Sequence, residues 1–176
     1  MVEINIESIL GSLSRNILPE FFRANSERIE EILNACKKTF WWSDILQAVR
    51  YLVKAREYGL AVKIMAASNR ASFKGGRDDT GVRSSDLEYF AEEKEYGFLV
   101  DIAEIVVDNS LISEIVNLLL KARREELAID IVKFFAKGKN VKLVVAILEG
   151  SPDIFSRCMQ IEYVSQIFKI KPSKKK

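Results

Sequence analysis

Between Pro19 and Pro152 the chain carries no proline, and its third proline, Pro172, lies close to the end. Proline removes a backbone donor and clashes with the preceding helical turn, so such a stretch lacks the strongest helix breaker. Apolar residues within it recur every three to four positions, as in Ile29, Ile32, Leu33 and Cys36. That spacing places them on one face of a helix, whereas strands alternate. The apolar blocks are brief, so each must be buried by folding back on a neighbour. The pattern predicts an all-α fold of short antiparallel helical hairpins, stacked as a small α-solenoid or an irregular bundle.

Punctuation predicts the individual helices. The first spans about 5–14, with Ile6, Ile9, Leu10 and Leu13 on one face. Pro19 suits the first turn of a second, with a break at Asn25-Ser26. Ser43 is the expected cap of a helix carrying Ile45, Val49, Leu52 and Val53, interrupted at Gly59. Ser85 and Glu88 have capping-box spacing, and that helix is expected to end near Tyr96-Gly97. Helices then follow over 98–107, around Ile112–Leu120, around Leu127–Phe135 up to Gly138, and from Val141 to Leu148, capped by Asn140 and stopped at Gly150. Ser151-Pro152-Asp153 combines a capping hydroxyl, a first-turn proline and an acid, and predicts one last helix through Phe168.

Two internal matches straddle the expected turns. Lys54-Ala55-Arg56, Leu60-Ala61 and Ile64 recur as Lys121-Ala122-Arg123, Leu127-Ala128 and Ile131, at an offset of 67. Glu57-Tyr58-Gly59, Val62 and Ile64 find Glu95-Tyr96-Gly97, Val100 and Ile102 at an offset of 38. The Ala positions let helices approach closely, and the Gly positions are expected to permit the turns. Over residues 43–137 the chain resembles the α-solenoid class of tetratricopeptide type, whose units are about 34 residues. The resemblance implies architecture alone. The Tyr-Gly pairs sit at turns, not at that family's helix positions, and no proline closes a unit.

The length suits a single helical domain, 1–168, with a polar loop at about 68–84 and a basic tail at 169–176. The net charge is +2; Lys169, Lys171, Lys174, Lys175 and Lys176 contribute five positive charges, leaving −3 on residues 1–168. A mildly acidic body argues against a whole-surface nucleic-acid binder. No apolar run approaches the ~20 residues a membrane span needs, so no membrane partner is expected. The N-terminus lacks a signal-peptide pattern, and Cys36 and Cys158 read as free thiols of a cytoplasmic protein. The absence of His, scarce Gln and abundant Lys, Glu and Arg are compatible with a thermophilic source.

Histidine is absent, which excludes Ser-His-Asp and Cys-His nucleophile pairs and His-ligated metals. Lys74-Gly75-Gly76-Arg77 lacks the rest of a P-loop. Glu92, Glu93, Glu95 and Asp101 could in principle supply oxygen ligands to Mg²⁺, but the pattern reads first as a solvated helix face. The expectation is therefore no enzyme, no cofactor and no metal.

Binding residues are the remaining candidates. Phe40-Trp41-Trp42 either closes a core or exposes an anchor, making Trp41 and Trp42 the candidate partner-binding pair. The 68–84 loop offers Arg70, Lys74, Arg77 and Arg83, as a linker, a protein contact or a phosphate contact. Lys121, Arg123, Arg124, Lys133, Lys137, Lys139 and Lys142 could form a basic face for a polyanion. The expected function is a non-catalytic protein-interaction or scaffold module within a larger complex, binding another protein or itself. The alternative is a nucleic-acid-binding accessory protein using the basic face, the loop and the tail.

Overall fold

In the computed structural model, the residues described are 14–36, 40–68 and 82–169. They form eleven α-helices and one short 3-10 turn, with no strand among them. No helix among them is long and apolar enough to cross a membrane. The chain divides into two compact units, 1–82 and 83–176. The expected first helix and most of the polar loop lie outside the described residues.

In the first unit a 3-10 turn, Arg15–Ile17, leads into α1, Leu18–Ala24, with Pro19 in its first turn. Asn25 then donates from its side-chain nitrogen to the Phe21 carbonyl at 2.9 Å, which closes the helix. Three further helices follow: α2 (Ile29–Cys36), α3 (Trp42–Lys54) and α4 (Tyr58–Ser68). Helix α1 packs on α3, α2 on α4, and α3 on α4. The stripe Ile32, Leu33 and Cys36 meets Ala61, Ile64 and Met65 in a core closed to solvent.

The second unit contains α5 (Ser84–Glu92), α6 (Tyr96–Ile105), α7 (Asn109–Lys121) and α8 (Glu125–Lys137). It ends with α9 (Val141–Gly150), α10 (Pro152–Met159) and α11 (Glu162–Lys169). From α5 to α10 each helix packs on its successor and on the helix after that. Successive antiparallel hairpins stack to give this pattern, with α5, α7 and α9 in one layer and α6, α8 and α10 in the other. Phe90 and Phe98 meet edge to face, 4.8 Å between centroids, across the α5–α6 turn. Helix α11 packs on α8, α9 and α10.

The turns correct the expectation for glycine. Among the described residues four other than glycine have positive φ: Arg56 (65°), Lys94 (62°), Arg123 (57°) and Lys139 (60°). Each sits just past a helix end and makes the same two bonds. The Arg56 N–H donates to the Val53 carbonyl and the next N–H, of Glu57, to Leu52, both at 2.9 Å. Lys94–Glu95, Arg123–Arg124 and Lys139–Asn140 repeat the pair. This is the Schellman closure, in which a left-handed residue lets the last carbonyls find partners. Arg56 to Lys94 is 38 residues and Arg56 to Arg123 is 67, the two offsets found in the sequence. Gly59 and Gly97 lie instead within the first turn of α4 and α6, and Gly138 is right-handed at φ −71°. A cation at a helix C-terminus is favoured by the dipole, which offsets some of the left-handed strain.

The expected caps also move. The Asp44 carboxylate, three residues into α3, accepts the Trp41 backbone N–H at 3.0 Å, and Asp86 accepts that of Arg83 at 3.1 Å. Ser43 and Ser85 are two positions past the capping residues Trp41 and Arg83 and stay exposed. Asn140 does cap, accepting the Leu143 N–H at 3.4 Å. Asp108 caps α7 by accepting the Ser110 N–H at 2.8 Å. The Ser151 side chain makes no cap bond and is buried. The single last helix expected over 152–168 is two, broken at Gln160–Ile161 without glycine or proline. The break turns Val164 and Ile167 into buried positions.

Candidate partner-binding surface

The aromatic pair at the start of α3 divides. Trp41 is the residue before the helix, with extended backbone at φ −83° and ψ 157°. Trp42, one residue on, is buried, as is Phe40, while Trp41 is 65% exposed. A residue in extended conformation beside one in helical conformation sends its side chain in a different direction. The backbone change at the helix boundary is therefore what separates the two indoles.

A cleft of ≈ 520 Å³ between α1 and α3 is lined by Asn16, Pro19, Ser43, Asp44, Gln47, Ala48 and Tyr51; Trp41, two residues before Ser43, does not itself line it. Its α3 residues recur at helical spacing, so one face of the helix forms the wall. Tyr51 is half exposed. The Arg23 guanidinium lies over its ring, 5.4 Å from the centroid. Arg23 is itself held: Nε donates to both Glu57 carboxylate oxygens at 2.8 and 3.0 Å, and a terminal nitrogen to Glu20 at 3.0 Å. These bonds hold the Glu57 carboxyl below, and the Arg23 guanidinium above, their ordinary ranges. Tyr51 thus rests on a cation whose position is fixed by two carboxylates. Trp41 and Tyr51 are ten residues apart, roughly 15 Å along α3.

The basic residues do not gather in one place. Lys121, Arg123 and Arg124 flank the α7–α8 turn, whereas Lys137, Lys139 and Lys142 flank the α8–α9 turn at the other end of α8, roughly 20 Å away. All six are exposed, and the Arg124 guanidinium lies 5.1 Å from the Tyr96 ring centroid. Lys133 is paired with Asp130 at 2.9 Å. Arg83 sits before α5 with its N–H on Asp86. Arg70, Lys74 and Arg77 lie outside the described residues.

The acidic residues are equally dispersed in environment: Glu95 is buried, Asp101 is half-buried, and Glu92 and Glu93 are exposed. Among the described residues no group of three or more His, Cys, Asp or Glu side chains could hold a metal ion. Both cysteines are free and buried, and burial pushes the Cys36 thiol up to about 12. Arg157 of α10 reaches back to Glu125 at 3.2 Å, and also to Glu126, at the start of α8.

Sequence reasoning missed Tyr51 and its support by Arg23. Tyr51 falls outside the apolar stripe of α3, which could have marked it as outward-facing. The Arg23–Glu57 pair spans 34 residues, and no local pattern announces it. No family model, curated protein or solved structure matches this chain.

Proposed function

We propose that this protein is a non-catalytic interaction module, a subunit of a larger complex, that grips a segment of another protein at the α1–α3 cleft. The observation that carries the reading is Trp41, 65% exposed at the start of α3, the helix whose face lines the cleft. Tryptophan and tyrosine are enriched among the few residues that carry most of the binding energy at interfaces. Pro19 and Ala48 give the cleft an apolar floor, and Asn16, Ser43 and Gln47 give it hydrogen-bonding edges. The chemistry suits a segment that places an apolar side chain between Trp41 and Tyr51. The alternate packing of short hairpins supports the helical-repeat resemblance, in which such surfaces are assembled from successive helices.

The test is affinity capture from native extract with the wild type and Trp41→Ala compared. A partner retained by the wild type should be lost, or retained at least tenfold less, by the variant, with circular dichroism unchanged. Equal capture by both would remove Trp41 from the interface, and no capture by either would count against the reading.

A further inference from the structure

Helices α6 and α8 pack side by side in one layer of the second unit and run in the same direction, because the antiparallel α7 connects them. Their C-terminal ends therefore point the same way, on axes about 8–10 Å apart as packed helices are. The two ends carry opposite charge.

At the α6 end stand Asp101, Glu104, Val107 and Asp108. Asp101 and Glu104 are three residues apart on one helix face and pair with no cation among the described residues. Burial raises both carboxyls above their usual range, and the neighbouring Asp101 adds to the rise at Glu104. Negative charge near a helix C-terminus also opposes the dipole. Val107, just beyond, is 90% exposed. At the α8 end stand Lys137, Lys139 and Lys142, in a stretch without an acid from 131 to 148. On the same α8–α9 corner Phe134 and Val141 are both exposed.

We propose that this end of the second unit docks on the same end of a second copy of the chain, about a two-fold axis. The acidic α6 end of each copy meets the basic α8–α9 corner of the other, and Val107 packs against Phe134 and Val141. A two-fold contact is self-complementary, so each of the two adjacent patches finds its opposite. The same surface fits a polyanion or an anionic membrane poorly, since half of it is acidic. The inference does not rest on the Trp41 cleft, which lies in the other unit.

The experiment is sedimentation velocity on the full chain at low salt, across a concentration series. The wild type should move from the 20.1 kDa chain mass toward twice that value, and added salt should reverse the shift. Glu104→Lys or Lys139→Glu alone should hold the chain at monomer mass, each placing like charges together. An equal mixture of the two variants should regain the doubled mass, because every junction again pairs opposite signs. Lys142→Glu stands in for Lys139→Glu, and Val107→Lys at the acidic end for Glu104→Lys, should either variant lose its circular dichroism. A wild type that stays monomeric throughout overturns the proposal. So does a mixture of folded variants that fails to associate, or a dimer untouched by either substitution. Binding of an oligonucleotide or of anionic phosphatidylserine vesicles by a wild-type monomer would assign the surface to a polyanion instead. Failure here leaves partner capture through Trp41 unaffected, and Trp41→Ala leaves the dimer unaffected.

Discussion

Arg23 on α1 and Glu57 in the α3–α4 turn form a two-pronged ion pair across 34 residues of sequence, with Nε 2.8 and 3.0 Å from the two carboxylate oxygens. The pair joins the helix before the cleft to the turn after it, and it also seats Tyr51.

Because Arg23 lowers the Glu57 pKa, the carboxylate favours folding while it is ionised. That contribution is present above the ordinary value of 4.5 and is lost as pH falls through the depressed folded value. Arg23→Gln should therefore melt below the wild type at pH 7, and the gap should close as pH drops below 4.5. Thermal melts of both proteins over a pH series check this; a constant gap down to pH 3 would show that Arg23 acts through packing alone.

The four left-handed cations are strained relative to glycine. Lys94→Gly and Arg123→Gly should each stabilise by about 0.5–1 kcal/mol, the relief exceeding the entropy that glycine adds to the unfolded chain. A β-branched residue has the opposite effect, and Lys94→Val should destabilise. Urea titrations give both signs. A destabilised Lys94→Gly would mean that the lysine side chain holds the turn more firmly than its backbone opposes it.

Helix entry by Asp44 and Asp86, not by the adjacent serines, predicts an asymmetry. Asp44→Ala and Asp86→Ala should each lose about 0.5–2 kcal/mol, while Ser43→Ala should stay within about 0.5 kcal/mol of the wild type. Denaturant midpoints compare the three directly.

Ile64, Ile102 and Ile131 occupy equivalent positions, related by the offsets 38 and 67, and all three are fully buried. Each truncation to alanine should cost about 2–5 kcal/mol. A value under about 1 kcal/mol at one position, read from its unfolding curve, would mark a loosely packed hairpin there.

What the sequence made legible was periodicity. Stripes such as Ile29, Ile32, Leu33 and Cys36 are buried as expected, and the two offsets coincide with the left-handed residues of the turns. Position within the turn was not legible. Arginine and lysine have no marked preference for positive φ, so the nearby Gly59 and Gly97 seemed the natural corners. The caps failed similarly: an acid at the third helical position can reach back as well as a preceding hydroxyl reaches forward, and Ser-Asp offers both. The Gln160–Ile161 break is set by packing of α11, with no breaker residue to announce it. At the candidate surface, a Trp-Trp pair signals one buried ring or two with equal force. Only the change of backbone conformation at Trp41 decides which faces water.

Basic side chains at the hairpin corners also bear on how the chain can be dismantled. Trypsin cuts after lysine and arginine, so Arg56, Lys94, Arg123 and Lys139 put a scissile bond at the junction between whole helices. Nicking at these corners would sever the polypeptide while leaving each helix intact, yielding pieces that coincide with the structural modules.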